Sequence, residues 1–235
     1  MNNDSFWAIV PAAGIGSRMQ ADRPKQYLDL DGKTVLEQTL GRLATHPHIN
    51  GIVIAIAEHD PWWSDITLSS DCPVHVVIGG EHRADSVLNA LIELSAITQT
   101  DPWVLVHDAA RPCLRHQDID RMLHELCSHS VGGVLGIPVN DTVKRVNAAD
   151  EVEETVCRQG LWRASTPQMF RLKALTQALE TAKQQQLTVT DDASAMELAG
   201  MQPKMVAGHP DNIKITVPQD LALASLYLQQ QREEN

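Results

Sequence analysis

The sequence predicts an α/β fold with a mostly parallel central sheet, and two observations carry this prediction. Short apolar runs rich in Val and Ile alternate with longer segments of mixed polarity along the chain. Such an alternation of buried strands and amphipathic helices is typical of a parallel sheet covered by helices on both faces. The length of 235 residues, 43% of them hydrophobic, suits one domain with a sizeable core. Sheets of this kind bind ligands beyond the carboxyl ends of their strands.

Five apolar runs are predicted to be buried strands, at residues 6–10, 51–57, 74–78, 103–106 and 131–138. Four segments are predicted to be helices, at residues 35–44, 84–97, 119–128 and 221–231. We expect Thr216 to cap the last helix, because Pro218 follows it at an early position. Asp191 and Asp192 are expected to cap a further helix, and Lys214 is expected near the end of a strand.

The segment at about 139–157 breaks this alternation. It is polar, alternates in character over residues 142–146, and has turn-forming residues at 147–150. This pattern predicts a protruding hairpin instead of a strand of the main sheet. The rest of the chain contains no repeat, linker or low-complexity stretch, so we expect a single domain over residues 1–235 with a β-arm at about 139–157.

The charge balance excludes several classes of function. Nineteen Lys and Arg residues against thirty Asp and Glu give a net charge of −11, which disfavours nucleic acids and acidic membranes as partners.

The four cysteines lie far apart without a CxxC pair, which indicates reduced thiols. The apolar runs are too short to span a bilayer, and no secretory signal precedes them. We therefore expect a cytoplasmic protein.

The loop after the first predicted strand reads PAAGIGSRM at residues 11–19. Its small residues and glycines let backbone N–H groups approach a ligand closely, and a run of such groups binds anions. Arg18, Arg23 and Lys25 outnumber the acidic residues here, in a chain that is acidic as a whole. The loop predicts a nucleoside triphosphate site, in which cations offset charge that develops on phosphorus. A glycine-rich turn with solvated surface charges is the alternative.

Two other phosphate-binding patterns do not fit this region. A dinucleotide fingerprint needs a third glycine where Met19 stands, and a P-loop ending in GKT at residues 32–34 needs glycine where Tyr27 stands. A nicotinamide-dependent oxidoreductase is accordingly disfavoured.

Two further strands end in polar motifs. VHDAARP at residues 106–112 puts Asp108 after a buried strand, where a carboxylate can bind Mg²⁺ or a hydroxyl group. Asp108 could equally cap the next element and pair with Arg111. GGEHRADS at residues 79–86 opens a helix, and its two glycines suggest close approach of the backbone to a ligand.

These motifs match a known pattern. The first loop, with PKQ at residues 24–26, resembles the nucleotide loop of nucleotidyltransferases that make activated alcohols and sugars. The resemblance continues in order through GG at 79–80, RADS at 83–86, VHDAARP at 106–112, PVNDTVK at 138–144, TPQ at 166–168, TDD at 190–192 and NIK at 212–214. Together they resemble the 2-C-methyl-D-erythritol 4-phosphate cytidylyltransferase family over essentially the whole chain. The resemblance implies a Rossmann-like nucleotidyltransferase fold whose β-arm serves dimerisation.

The resemblance also implies an activity and a set of site residues. The family transfers CMP from CTP to 2-C-methyl-D-erythritol 4-phosphate, releases pyrophosphate and uses Mg²⁺. The implied catalytic residues are Arg18 and Lys25. The implied substrate-positioning residues are Arg158, Lys214, Thr142, Thr166, Asp108 and Arg111. The implied nucleotide-binding residues are Ala12, Ala13, Gly14, Gly16, Gly80 and Ser86. The metal ligands stay open, with the triphosphate a source of most of them and Asp108 a candidate.

In this family the hairpin crosses into a partner, so the resemblance implies a homodimer in which Thr142 and Arg158 serve the other subunit's site. Two rivals are weighed against this interpretation. Ribitol 5-phosphate cytidylyltransferases share the loop and fold but tend to open with AGG, whereas this chain has PAAG at residues 11–14. A non-catalytic nucleotide-binding protein would lack some of the implied cations Arg18, Lys25, Arg158 and Lys214, all of which are present.

Overall fold

A seven-stranded sheet forms the centre of the fold in the computed structural model, which describes residues 4–14, 19 and 22–234. The strands of this described part are β1 (Phe6–Pro11), β2 (Asp29–Leu30), β3 (Lys33–Thr34), β4 (Ile49–Ile56), β5 (Val74–Ile78), β6 (Trp103–Val106), β7 (Gly132–Pro138), β8 (Val143–Val146), β9 (Val152–Val156), β10 (Trp162–Arg171) and β11 (Lys204–Ala207). The helices are α1 (Val35–Ala44), α2 (Arg83–Ile97), α3 (His116–Leu126), α4 (Leu172–Gln184), α5 (Asp192–Leu198) and α6 (Gln219–Glu233).

The strand order of the main sheet is β11-β7-β10-β6-β1-β4-β5. The strands are parallel except for β10, which runs antiparallel to β6 and β7. The predicted mostly parallel α/β fold is thus confirmed. After β1 the chain adds β4 and β5 on one side and then β6 on the other, so the strand order reverses between β1 and β6. An open α/β sheet binds its ligands at the carboxyl ends of the strands beside such a reversal.

The sheet is stabilised by apolar side chains on both of its faces. Ile52 and Ile54 of β4 pack with Leu40 of α1 and with α3 on one face, whereas Val53 packs with Leu91 of α2 and with α4 and α5 on the other. All five side chains are fully buried. Burying each Leu, Ile or Val contributes about 1.5–3 kcal/mol, which explains why the central strands are apolar on both faces.

Local capping explains where two helices begin. The Thr34 hydroxyl accepts a hydrogen bond from the Glu37 N–H at 3.1 Å, and the Glu37 carboxylate accepts one from the Thr34 N–H, so a capping box starts α1. The predicted cap of α6 by the Thr216 side chain is wrong. Instead the Asp220 carboxylate, in the first turn, accepts hydrogen bonds from the backbone N–H groups of Thr216 and Val217.

The sequence interpretation missed β10 and α4 and misplaced one strand. β10 carries polar residues and Pro167 in its middle, so it lacks the apolar run that marked the parallel strands. Residues 211–216, where Lys214 was expected near a strand end, form a loop, and the strand in this region is β11. Asp191 is the N-cap of α5 as predicted, since its carboxylate accepts a hydrogen bond from the Ser194 N–H at 2.9 Å.

β8 and β9 form a separate two-stranded antiparallel hairpin. Its turn is held by the Asn147 side chain, whose oxygen accepts hydrogen bonds from the N–H groups of Ala149 and Glu151. Val146 and Val152 are 46% and 61% exposed, so apolar surface of the hairpin faces solvent in the single chain. Within residues 4–14, 19 and 22–234, none of the helices combines the length and apolar character needed to cross a membrane.

Candidate active site

A cleft of about 190 Å³ opens at the carboxyl edge of the sheet, beside the reversal between β1 and β6. Loops that follow β1, β5 and β6 form its walls, together with the turn at Lys25–Tyr27 and the loop before α6. Its described lining residues are Pro11, Ala12, Ala13, Gly14, Lys25, Gln26, Gly80, Glu81, His82, Arg83, Ser86, Asp108, Ala109, Ala110 and Lys214.

The loop after β1 is held from behind by a buried amide. Gln26 Nε2 donates hydrogen bonds to the carbonyl oxygens of Ala12 at 2.7 Å and Gly14 at 3.0 Å. The Ala12 N–H continues the sheet pairing by donating to the Ala55 carbonyl at 2.7 Å. Because Gln26 is only 4% exposed, its amide fixes the loop backbone against the cleft wall.

The loop after β5 approaches the first loop closely. A Cβ atom at Gly79 would lie 2.5 Å from Ala13 Cβ and 2.8 Å from Ser86 Oγ, so a larger residue would push the two loops apart. Ser86 Oγ accepts a hydrogen bond from the Gly80 N–H at 3.1 Å and lies 3.3 Å from the His82 carbonyl oxygen, to which it donates. These contacts join the start of α2 to the cleft wall.

Asp108 is the electrostatic centre of the opposite wall. Its Oδ1 lies 3.0 Å from Arg83 Nε, and its Oδ2 lies 2.9 Å from Lys214 Nζ and 3.5 Å from Arg111 Nε. Burial disfavours the charged carboxylate, but these three cations outweigh burial and hold the pKa of Asp108 well below its ordinary value. Asp108 is therefore ionised at neutral pH and keeps Lys214 at the cleft.

Arg83 bridges Asp108 to a second carboxylate. Its Nη2 donates to Asp192 Oδ2 at 2.9 Å, and the Asp192 side chain is 1% exposed. Burial opposes the charge of Arg83, but the two carboxylates overcome it and raise the pKa of Arg83 above its ordinary value. Burial raises the pKa of Asp192, against the opposing effect of Arg83. The bridge joins α2, α5 and the loop after β6 at one guanidinium group.

Lys25 lines the cleft from the turn at Lys25–Tyr27. Its Nζ donates a hydrogen bond to the Ile215 carbonyl oxygen at 2.7 Å, next to Lys214 in the chain. Lys25, Arg83 and Lys214 thus bring three cationic groups to one cleft from distant segments. Such a concentration of positive charge can bind phosphate groups in an otherwise acidic protein.

Behind Asp108 lies a buried polar group around His107, which is fully buried. The backbone N–H of Asp108 donates to Thr166 Oγ1 at 3.0 Å, and Thr166 Oγ1 lies 3.0 Å from His107 Nδ1. His107 Nε2 lies 3.0 Å from the Arg111 carbonyl oxygen. Burial lowers the pKa of His107 to about 4, so the ring is neutral at pH 7.

Comparison with known proteins identifies the family. A sequence model described as IspD, 2-C-methyl-D-erythritol 4-phosphate cytidylyltransferase, matches residues 6–230. The chain is 52% identical to the 2-C-methyl-D-erythritol 4-phosphate cytidylyltransferase of Vibrio vulnificus (strain YJ016) over 229 residues, which cover 97% of each chain. It is also 52% identical to that of Pseudomonas aeruginosa (strain UCBPP-PA14) over 218 residues, 92% of this chain and 93% of the relative. The chain belongs to this family.

Solved structures agree with this cytidylyltransferase assignment. The Francisella tularensis 2-C-methyl-D-erythritol 4-phosphate cytidylyltransferase superposes with a TM-score of 0.82 at 38% identity, covering 95% of this chain and 100% of that chain. The enzyme of the same name from Thermus thermophilus gives a TM-score of 0.76 at 28% identity, covering 94% of this chain and 98% of that chain. The nucleotidyltransferase fold expected from the motifs is thereby confirmed.

The structure brings many of the residues implied by the cytidylyltransferase resemblance to one cleft. Those that line it are Ala12, Ala13, Gly14, Lys25, Gly80, Ser86, Asp108 and Lys214. Arg111 and Thr166 contact Asp108 instead. Thr142 and Arg158 are exposed at the base of the hairpin and do not belong to the described lining of the cleft. Arg18 and Gly16 lie outside the described residues.

Sequence reasoning missed four residues that organise this cytidylyltransferase cleft: Gln26, Arg83, His107 and Asp192. Arg83 lies in a motif that the sequence singled out, but its partners are 25 and 109 residues away along the chain. The remaining three also lie in quoted motifs, but they act through contacts that spacing does not reveal. Asp192 was expected to cap a helix, but Asp191 alone is the N-cap and Asp192 pairs with Arg83. Their burial as polar residues is the physical sign of a role, because buried polar groups require partners.

Proposed function

We propose that the cleft beside β1 and β6 is the active site in which this chain transfers the cytidylyl group of CTP to 2-C-methyl-D-erythritol 4-phosphate. This reaction releases pyrophosphate and belongs to the non-mevalonate isoprenoid pathway. The observation that carries the placement is the convergence of Lys25, Arg83 and Lys214 on one cleft beside Asp108. In a chain of net charge −11, cations gathered in this way suit a site for two phosphorylated substrates.

The chemistry explains why the site needs cations more than a general base. The attacking group is a phosphate monoester, which is largely dianionic at pH 7 because its second pKa is about 6. No proton has to leave the nucleophile. The main obstacle is the repulsion between two polyanions and the extra charge on the α-phosphorus as it becomes five-coordinate. Positioned cations lower that barrier.

On the donor side, we assign Lys25 and Arg18 to the triphosphate. Lys25 is held at the cleft by the Ile215 carbonyl, so its ammonium group is positioned before CTP arrives. The backbone of Ala12, Ala13 and Gly14, fixed by Gln26, forms the adjoining wall, where we place the nucleotide and its phosphates. We assign Gly16, Gly80 and Ser86 to the same nucleotide.

On the acceptor side, Lys214 and Arg158 hold the phosphate of methylerythritol phosphate for in-line attack. Lys214 lies 2.9 Å from Asp108, an anion that keeps the ammonium group at the cleft until the acceptor phosphate binds. Asp108, Arg111 and Thr166 form a connected group beside Lys214, and we assign them to the same substrate.

The donor set of the cleft fits Mg²⁺ bound chiefly by the triphosphate. Mg²⁺ in nucleotide enzymes takes one or two carboxylates, waters and substrate phosphate oxygens. No cluster of three or more His, Cys, Asp or Glu side chains suited to a metal occurs among the residues for which the structure gives positions. Asp108 and Glu81 are the carboxylates of the described lining, and Asp108 is the one held in place by its neighbours. The triphosphate is therefore the main source of ligands, and Asp108, whose two oxygens contact Arg83, Lys214 and Arg111, stays a candidate beside it. Bound Mg²⁺ neutralises charge on the triphosphate and its leaving group.

We further propose that the enzyme is a homodimer whose hairpins exchange. Within the described chain, β8 and β9 pair with each other alone, and Val146 and Val152 face solvent. Arm exchange would explain why Thr142 and Arg158 are exposed in the single chain, since both would reach the partner's cleft and complete its acceptor side. The chain would form a single domain with its arm at about residues 139–157. The free state of the four cysteines fits a cytoplasmic enzyme.

The activity is tested by pyrophosphate release from CTP and Mg²⁺ with methylerythritol 4-phosphate or ribitol 5-phosphate as the acceptor. We expect turnover with methylerythritol 4-phosphate alone. Turnover with ribitol 5-phosphate alone would assign the enzyme to another pathway. No release of pyrophosphate with either acceptor would refute the proposed transferase activity.

Arm exchange is tested by mixing two inactive variants, Lys25→Ala and Arg158→Ala, and allowing subunits to exchange. If the arms cross, each mixed dimer contains one site with both Lys25 and Arg158 intact, so activity returns. If each arm serves its own subunit, both sites of the mixed dimer carry one defect, and the mixture stays inactive.

A further inference from the structure

Three residues on the acceptor side of the cleft meet at one buried side chain. Asp108, Thr166 and Arg111 come from two different segments. The His107 ring contacts Thr166 at Nδ1 and Arg111 at Nε2, and Thr166 in turn accepts a hydrogen bond from the Asp108 N–H. His107 itself is fully buried and lies outside the described lining of the cleft. It therefore acts on the site only through its neighbours.

The direction of each hydrogen bond in this group follows from the available donors. The Arg111 carbonyl oxygen can only accept, so His107 Nε2 must carry the proton. In a neutral ring Nδ1 is then unprotonated, and the Thr166 hydroxyl must donate to it. The lone pairs of Thr166 Oγ1 are left to accept from the Asp108 N–H. The chain of bonds runs in one direction, from Thr166 through the ring to Arg111.

We propose that His107 is a positioning residue for the acceptor subsite. By binding the Thr166 hydroxyl and the Arg111 carbonyl, it fixes the backbone on both sides of Asp108 and so the place of Asp108 and Lys214 at the cleft. This inference rests on the proposed function, because it assigns the Asp108 side of the cleft to methylerythritol phosphate. The position of Asp108 matters because its Oδ2 lies 2.9 Å from Lys214 Nζ and 3.5 Å from Arg111 Nε.

A role as general base does not fit the same contacts. Both ring nitrogens are already hydrogen-bonded within the protein, and the ring has no exposed surface through which a substrate could reach it. One ring nitrogen faces a carbonyl oxygen and the other a hydroxyl group, an arrangement that fits a neutral ring with its proton on Nε2. His107 thus acts as a fixed connector with one donor and one acceptor.

The test compares three variants of the full-length enzyme. His107→Leu removes both hydrogen bonds at similar volume, His107→Asn retains an acceptor for Thr166, and His107→Gln retains a donor for the Arg111 carbonyl. Steady-state kinetics are measured with CTP varied at saturating acceptor and with methylerythritol phosphate varied at saturating CTP. Thermal unfolding of each variant is recorded in parallel.

We expect His107→Leu to lower kcat/KM for methylerythritol phosphate about 100-fold, the effect of misplacing groups by about 1 Å. KM for CTP should change less than threefold, and the Asn and Gln variants should recover part of the loss. An equal effect on both substrates, or folded variants with unchanged acceptor kinetics, would overturn the inference. A wild-type enzyme without activity toward methylerythritol phosphate would instead refute the proposed function.

A second readout remains decisive if His107→Leu does not fold. The ¹⁵N chemical shifts of the His107 ring in the wild-type enzyme report which nitrogen carries the proton. We expect a protonated Nε2 and a bare Nδ1 across the neutral pH range. A proton on Nδ1, in a neutral or a charged ring, would make Nδ1 the donor to Thr166 Oγ1, which contradicts the assigned direction of this bond and overturns the inference.

Discussion

Replacing Arg83 with Met should destabilise the protein by leaving a buried carboxylate without its cation. Arg83 contacts Asp108 at 3.0 Å and Asp192 at 2.9 Å, but the two carboxylates differ in the cationic partners that remain after the substitution. Asp108 keeps Lys214 and Arg111. Asp192, whose other oxygen already has no hydrogen-bond partner among the described atoms, loses its ion pair altogether.

The magnitude follows from the burial of Asp192, which is 1% exposed. Removing one partner of a buried ion pair typically costs about 3–5 kcal/mol. For a chain of this length, that loss corresponds to a fall in Tm of roughly 6–20 °C. Asp192→Asn in the Arg83→Met background removes the unpaired charge, so the double variant should regain about 1–3 kcal/mol of the free energy of unfolding.

The same argument sets a pH dependence. Burial already raises the pKa of Asp192, and the loss of Arg83 raises it further. The folded variant then binds more protons than its unfolded chain, so its stability falls as pH rises from about 4 toward the raised pKa. The deficit of Arg83→Met relative to wild type should grow by up to about 1.4 kcal/mol per pH unit over that window.

The assay is urea unfolding followed by tryptophan fluorescence, with ΔG in water extrapolated for wild type, both single variants and the double variant at pH 5, 6 and 7. Equal m-values across the four proteins would establish that the comparison concerns stability alone. The reasoning is refuted if the double variant is no more stable than Arg83→Met, or if the deficit of Arg83→Met is the same at pH 5 and pH 7.

Three further predictions concern single residues. Lys25→Ala should lower kcat by about 10²–10³-fold in the pyrophosphate assay, because transition-state stabilisation is lost. Lys173 is exposed at the opposite edge of the sheet, so Lys173→Ala should leave kcat unchanged. Equal effects of the two substitutions would contradict the role of Lys25. Gln26→Glu should weaken CTP binding at least tenfold in calorimetry, since a carboxylate would face two carbonyl oxygens, and unchanged affinity would show that the loop does not depend on this amide. Burial lowers the pKa of His107 from 6.5 to about 4, so its contribution to stability is complete above pH 6.5 and declines by about 3 kcal/mol as pH falls to 4. In urea unfolding, the free energy of unfolding of His107→Gln should therefore fall less steeply between pH 6.5 and 4 than that of the wild type. The same pH dependence in both proteins would exclude His107 as its source.

The sequence predicted the parallel part of the fold well because burial on both faces leaves a clear pattern. β4 is apolar apart from Asn50, and the structure buries all of its other residues. β10 was missed for the opposite reason. It runs antiparallel, only residues 166–170 of it are buried, and Pro167 interrupts it, so neither an apolar run nor a regular alternation marks it.

The candidate site divides in the same way. Asp108 and Lys25 were found because they follow a strand or a glycine-rich loop, and both relations are local in sequence. Arg83 was not singled out, because its role at the site depends on its ion pairs with Asp108 and Asp192. These residues come together only after α2, β6 and α5 pack. Pairings between distant segments are fixed by packing, and local patterns do not encode them.

The hydrogen bond from Lys25 to the Ile215 carbonyl determines when, during synthesis of the chain, the cations of the cleft can come together. The two residues are 190 positions apart, and Lys214 stands next to the second of them. During translation the loop with Lys25 leaves the ribosome well before the segment that holds its ammonium group, which is synthesised 190 residues later. A nascent chain, or one truncated before residue 214, has no complete set of cations at the cleft. The cations that we assign to the two substrates are therefore together at the cleft only after the segment at residues 214–215 has been made.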